Sequence, residues 1–308
     1  MEIKEALQFL KGEKIAHEFM GDDCSVLNKV VGWSAFEGEG LTFYSGKNPD
    51  ELKPWNNEKN GLIITSSSFQ QDMKNGQFVF VDAPKVVFMM LANLMVPVAK
   101  SRIHPTAIIH TEAKIGKDVS IGAYSVIGKV SIGDNCKIGN HVSIQDNTLI
   151  GNNVKILSGC SIGEPGLGSE VGVSEQQITF PHFAGVEIQD NVVIGTNTVI
   201  NCGALEDTII GENTHISSNC LVAHNCELGK GVYLAACASI AGSVKIGARS
   251  YIGFGACIKE GVVLGEEITV GIQITVQKNY TKQGITLMNA SIPKEIGSIF
   301  TLKRTFNK

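Results

Sequence analysis

The sequence predicts a parallel β-helix solenoid preceded by a small α/β domain, and three observations predict it. From about Ile103 to Val276 an aliphatic residue, mostly followed by Gly or another small residue, returns about every six positions: Ile115, Ile121, Ile127, Ile132, Ile138, Ile144, Ile150, Ile156 and Ile162. The pattern resumes at Ile188, Ile194 and Ile200, changes phase at Ile210, and continues through Ile216, Val222, Leu228, Leu234, Ile240, Ile246, Ile252, Ile258, Leu264 and Val270. Residues 1 to about 100 lack the period altogether. Six is neither a helical period nor a simple alternation; it gives one short strand and one turn per repeat.

The first segment, 1–100, reads as an α/β unit. GLIITSS (61–67) and QFVFVDAP (77–84) have the apolar runs of buried strands ended by turn residues, and VVFMMLANLM (86–95) reads as a core-facing helix. PVAKSRIHPTA (97–107) joins it to the solenoid. In the solenoid, 101–278, three hexads close one triangular coil, with stacked coils about 4.8 Å apart. About 26 hexads give eight or nine coils. The aliphatics fill the interior, each contributing about 1.5–3 kcal/mol. The following Gly, Asn, Asp and His residues suit tight corners where positive φ is common. The stretch 163–187 is too long and too rich in Gly and Pro for a repeat, so it is expected to loop out of the stack, where binding usually resides. After 278 the period is lost, leaving a short basic tail, 279–308.

Composition excludes several classes. A chain of 308 residues buries enough surface to need no external staple, and a net charge of -4 without a Lys/Arg run argues against nucleic acid as a partner. MEIKEALQFLKGEK has no signal-peptide core, and Val86–Val98 is too short to span a bilayer, so a cytoplasmic protein without a membrane span is expected. The eight Cys include no CxxC pair. Cys136, Cys160, Cys220 and Cys226 each fall four residues after a repeat aliphatic, a position that suits a compact apolar filler better than a disulfide or a zinc ligand.

Among seven His, His224 is the most informative, because it follows Val222 by two residues where neighbouring hexads carry small or turn-forming residues. On spacing alone it is either an outward corner His or a base working near neutral pH in a cleft. Zinc chemistry would need three converging His. His215 and His224 are half a coil apart and fall on different faces, so no metal is expected.

The runs N-C-G-A-L-E-D-T-I-I-G (201–211), L-V-A-H-N-C-E-L-G (221–229) and S-I-A-G-S-V-K-I-G (239–247) resemble the UDP-3-O-acylglucosamine N-acyltransferases of lipid A biosynthesis. The order of parts is similar too: an N-terminal domain, IHPTAII leading into the repeats, an insertion and a late SIP. The resemblance implies a left-handed β-helix, a nucleotide-sugar-binding N-terminal domain, and a homotrimer with sites between adjacent chains, in which Tyr233 and Tyr251 are candidate interface residues. It places the general base on His224 with Asn225 beside it, and the oxyanion-binding backbone N–H on Gly242. Of the family's uracil-stacking motif Phe43 is matched while its Asn and later Tyr are not, which leaves stacking to Phe43 or Tyr44. A further family His falls on Gly261, the D-R before G-A-L is replaced by Asn201-Cys202, and the helical tail is largely absent.

Those departures favour an N-acyltransferase acting on a dTDP- or UDP-linked amino sugar of a surface polysaccharide, with a short acyl group from coenzyme A. The donor phosphates would then meet Lys245, Arg249, Lys259, Lys278 or Lys282. The alternatives are the lipid A enzyme itself, with an acyl carrier protein thioester as co-substrate, and a non-catalytic binding solenoid.

Overall fold

The computed structural model describes residues 1–57, 59–97, 101–172 and 175–288. The chain divides into two units, Met1–Ala99 and Lys100–Lys308.

In the first unit, helix α1 (Ile3–Gly12) buries Ile3, Ala6 and Leu10, a stripe at helical spacing. Four strands follow, β1 (Glu18–Met20), β2 (Glu39–Phe43), β3 (Asn60–Ser66) and β4 (Phe78–Val81), and then α2 (Pro84–Leu94). They form one sheet in the order β1-β4-β3-β2, with only β1 antiparallel to its neighbour. The expected strands and helix at 61–67, 77–84 and 86–95 correspond to β3, β4 and α2. Alternation along β3 sends Leu62 and Ile64 into the core containing α1 and α2, and Ile63 into an aromatic core on the other side with Phe36, Tyr44, Phe78 and Phe80. Burial on both faces is why these strands read as continuous apolar runs.

The second unit is a left-handed parallel β-helix. Its three faces are parallel sheets of nine, eight and nine strands, in chain order. The first face begins at Ile108–Ile109, the second at Lys114–Ile115 and the third at Ser120–Ile121. Equivalent aliphatics pair in register from coil to coil, as Ile138 does with Ile121 and Ile156, and they make one continuous core. A second column, two residues before each aliphatic, is buried as well. There Cys136, Cys160, Cys220 and Cys226 alternate with Val, Thr and Ser, and each thiol donates to a backbone carbonyl, Cys160 Sγ to Gly195 O at 3.0 Å. All eight Cys are unpaired.

The corners divide their work differently from the expectation. Positive φ falls on the third residue after the aliphatic, most often Asn, as at Asn135, Asn153, Asn197 and Asn225, but also Asp118, His141 and Gly231. The Gly after the aliphatic is needed for close approach instead: a Cβ on Gly116 would lie 2.6 Å from the backbone of Gly133 in the next coil.

The solenoid also runs past residue 278. Tyr280 bridges to Leu264, and a last strand, Thr286–Leu287, pairs with Thr269–Val270 on the third face. Ile285 and Leu287 pack against the core, so a longer turn replaces the lost hexad. The rest of the expected tail, 289–308, lies outside the described residues, as do 98–100 of the joining segment.

Candidate active site

Between Ile115 and Val276 every large departure from the six-residue period falls on one edge, the corner between the first and second faces. The insertion leaves after Ser161–Glu164 on the first face and returns at Val186–Ile188 on the second. The phase change, 202–207, joins Val199–Asn201 to Thr208–Ile210 across the same corner. One coil further, the turn between Leu221–Val222 and Glu227–Leu228 carries His224.

The phase-change segment holds that turn in place. Asn225, at φ 59°, adopts a left-handed conformation that Asn tolerates. Its amide is oriented by two backbone groups: Oδ1 accepts from Ala204 N–H at 3.1 Å, and Nδ2 donates to Glu206 O at 2.9 Å. Its own N–H donates to Thr208 Oγ1 at 2.9 Å. The residues of G-A-L-E-D-T therefore serve as a cradle for Asn225.

With the amide fixed, the tautomer of His224 follows. Nδ1 lies 3.0 Å from Asn225 Oδ1, which can only accept, so Nδ1 carries the hydrogen and Nε2 keeps its lone pair. A neutral imidazole so held presents one basic nitrogen. Gly242 occupies the equivalent position one coil on, and a Cβ there would lie 2.6 Å from Nε2 of His224, so only Gly leaves room for the ring.

The Gly242 N–H is also left open. At the same corner near the insertion, Asp146 Oδ1 accepts from the N–H of Lys129 at 2.6 Å. The residue stacked over Gly242 is Glu260 rather than Asp or Asn, and among the described residues no group accepts from the Gly242 N–H. A fixed, unused backbone donor beside a basic nitrogen suits a developing oxyanion.

The insertion closes over this point. Ser169–Val171 and Gln177–Thr179 form an antiparallel hairpin. Its return is tied to the phase-change segment by Phe183 N–H to Ala204 O at 2.8 Å and Gly185 N–H to Asp207 Oδ1 at 2.6 Å. Between hairpin and corner lies a cavity of about 600 Å³ lined in part by Val171, Ile178, Phe180, His182, His224 and Glu260. Sequence reasoning passed over His182, whose ring centroid is 5.6 Å from that of His224. The signal available was a His inside the segment already expected to bind. Cys226, two residues from His224, is no competing nucleophile: it is fully buried, and burial pushes its thiol up to about 12.

The other expected site residues are placed differently. Phe43 and Tyr44 point to opposite sides of the sheet, Phe43 against Phe88 at 4.7 Å between ring centroids and Tyr44 against Trp33 at 4.8 Å. Tyr44 is 3% exposed and its hydroxyl donates to Asn48 O. Neighbours on an extended chain face opposite ways, so Phe43 and Tyr44 cannot both stack on one base.

Lys245 pairs with Glu227 at 2.5 Å, and Arg249 pairs with Glu266 and Glu267, so these two cations are already engaged. Lys259 and Lys282 are exposed, and Lys278 lies over the ring of Tyr280. Gly261 follows Glu260 at positive φ, and His215 is on the third face, away from His224. No described helix is long and apolar enough to cross a membrane.

Comparison with known proteins bears on the solenoid as a whole. Residues 112–145, 129–164 and 207–242 match the family described as bacterial transferase hexapeptide (six repeats), and 243–274 match the hexapeptide repeat of succinyl-transferase. The chain is 33% identical over 188 residues to UDP-3-O-acylglucosamine N-acyltransferase 1 of Francisella tularensis, covering 53% of this chain and 54% of that protein. It is 30% identical over 219 residues to the UDP-3-O-acylglucosamine N-acyltransferase of Neisseria meningitidis, covering 64% and 62%. The chain thus spans little more than half the length of the Francisella relative. Among solved structures, the UDP-N-acetylglucosamine acyltransferase of Bacteroides fragilis superposes with a TM-score of 0.55 at 28% identity, covering 62% of this chain and 73% of that one. The enzyme of the same name from Campylobacter jejuni gives 0.52 at 31%, covering 58% and 68%. The chain is a hexapeptide-repeat solenoid that resembles these N-acyltransferases in sequence.

Proposed function

We propose that the chain is an N-acyltransferase that moves an acyl group from a thioester to the amine of a UDP-linked, O-acylated glucosamine. The observation that carries the proposal is the arrangement at the corner. A tautomerically fixed His224 presents Nε2 over Gly242, whose N–H is unused, at the edge of a cavity under the insertion. The sugar amine attacks the thioester carbon as His224 Nε2 takes one of its protons, and Gly242 N–H donates to the oxygen that becomes negative. Collapse of this intermediate breaks the carbon–sulfur bond. The proton passes from His224 to the departing thiolate, leaving an amide and a free thiol. The base is worth about 10²–10⁴-fold and the oxyanion donor about 10²–10³-fold.

Two observations favour this acceptor and a long acyl chain over a short acyl group from coenzyme A, the substrate pair that the departures suggested. The relatives at 30% and 33% identity are named for UDP-3-O-acylglucosamine. The cavity carries exposed apolar side chains, Val171, Ile178 and Phe180, while Lys245 and Arg249, two of the five cations expected to meet coenzyme A, are engaged in ion pairs. Nucleotide binding by residues 1–99 and a homotrimer are parts of the same proposal.

The test offers purified protein long-chain acyl carrier protein and short-chain acyl-coenzyme A thioesters, each with UDP-3-O-acylglucosamine and with a dTDP-linked amino sugar. Turnover with acyl carrier protein and the UDP-sugar is expected, and turnover confined to acyl-coenzyme A with another amino sugar overturns the assignment. Sedimentation as a monomer at assay concentration would contradict the shared-site assembly.

A further inference from the structure

We infer that His182, contributed by the insertion, is a second acceptor for the substrate amine and makes the site selective for an amine over a hydroxyl. The inference rests on the acyl-transfer reading above. His182 Nδ1 lies 2.9 Å from the carbonyl oxygen of Phe180, which can only accept, so Nδ1 carries the hydrogen and Nε2 of the neutral ring is an acceptor. That Nε2 is buried and has no hydrogen-bond partner. A buried acceptor without a partner is uncommon and requires an explanation.

The geometry supplies one. The rings of His182 and His224 meet edge to face at 79°, and both line the cavity. Gly166 fits closely against the pair: a Cβ on it would lie 3.0 Å from His224 Cδ2 and 3.4 Å from His182 Nε2. Nor is His182 carried on a loose loop. The next residue, Phe183, bonds to Ala204 O, and Ala204 N–H bonds to the Asn225 amide that orients His224. One short chain of hydrogen bonds thus sets both imidazoles relative to each other.

Two acceptors of the same kind on one cavity suit a nucleophile with two hydrogens. A neutral amine has two N–H groups. His224 Nε2 removes one as the carbon–nitrogen bond forms, and His182 Nε2 accepts a hydrogen bond from the other, which stays on nitrogen in the amide product. A hydroxyl has a single hydrogen and leaves His182 Nε2 buried and unpaired. A site built to bond a substrate N–H discriminates strongly against an analogue that lacks it.

The test compares wild type, His182→Phe, His182→Asn and His182→Gln. Acceptors are the amino sugar and the matching sugar with a hydroxyl in place of the amine, and melting curves check the fold. Gln can place an amide oxygen near the position of Nε2, whereas Asn reaches only as far as Nδ1. His182→Phe and His182→Asn should lower kcat/KM for the amine about 10- to 30-fold, the loss expected of one hydrogen bond to a buried acceptor. That loss should fall on KM for the sugar and leave KM for the thioester unchanged. The amine-to-hydroxyl preference should shrink by a similar factor, and His182→Gln should recover to within about fivefold of wild type. If wild type turns over the amine and His182→Phe matches it in rate and preference, the inference is overturned and the acyl-transfer reading stands. If Phe fails to fold, equal rates for Asn and Gln overturn it. A wild type without turnover overturns both readings.

Discussion

Replacing Gly242 with Ala tests the site through a single methyl group. The added Cβ would lie 2.5 Å from Cε1 and 2.6 Å from Nε2 of His224. Ordinary contact needs about 3.4–3.6 Å, so the ring must retreat by about 0.8–1 Å. Its Nδ1 is tied to Asn225 Oδ1 at 3.0 Å, and displacing the ring distorts or breaks that bond. A misplacement of about 1 Å costs on the order of 10²-fold, or about 2.7 kcal/mol of transition-state stabilisation. The fold should tolerate the change, because Gly242 does not use positive φ. The assay is steady-state kcat/KM with the preferred thioester, accompanied by a melting curve. A loss near 10²-fold at an unchanged Tm is expected. In a His224→Ala background the same substitution should have almost no further effect, since the obstructed imidazole is gone. Wild-type kcat/KM in the Gly242→Ala enzyme, or equal losses in both backgrounds, would refute the placement of His224 over Gly242.

The remaining predictions concern the support of the site and of the solenoid. Asn225→Ala removes the acceptor that fixes His224 and places Ala at φ 59°, so kcat/KM should fall at least about tenfold and stability by about 2–3 kcal/mol in denaturant titration; Asn225→Asp, which keeps an acceptor oxygen and tolerates that φ, should lose less of both. Burial holds the Cys226 thiol neutral up to about 12, against an ordinary value of 9.0 in the unfolded chain. Its contribution is therefore complete below 9.0 and is lost as pH rises toward about 12, on the order of 2–3 kcal/mol by about pH 11. Cys226→Val, which copies the residue one coil on, Val244, should flatten that alkaline decline, and an unchanged pH–Tm curve would count against the buried thiol. Ile194→Ala, at a fully buried rung of the third face, should cost about 2–5 kcal/mol in denaturant titration.

The legibility of this chain follows from how many residues repeat each instruction. The inward column is written as Ile, Val or Leu coil after coil and tolerates no slip, because a one-residue shift would turn the aliphatics out of the core. The sheets could therefore be read from period alone. The N-terminal unit repeats nothing, and α1 with its buried Ile3, Ala6 and Leu10 went unread beside the more apolar runs of β3, β4 and α2. Phe43 and Tyr44 show a second limit. Adjacent aromatics suggest one binding face, but the strand places them on two.

At the site, the division runs between identity and geometry. The A-H-N run singled out His224 through resemblance, while the reason for Asn225, a fixed amide that can only accept at Oδ1, needed the contacts of Ala204 and Glu206 from a segment about one coil away. His182 could be flagged only as a His within a binding loop, because an insertion has no register to place it beside His224. What the repeat did disclose is where to look. A solenoid core gains from every hexad that obeys the period, so an insertion and a phase change at successive levels of one corner each forgo regular packing. The insertion and the phase change fall beside the two imidazoles and the Gly242 N–H, whereas from Ile115 to Val276 the corners on the other two edges keep the six-residue spacing throughout. The concentration of irregularity on one edge of a regular frame is itself a physical argument that the chemistry belongs there.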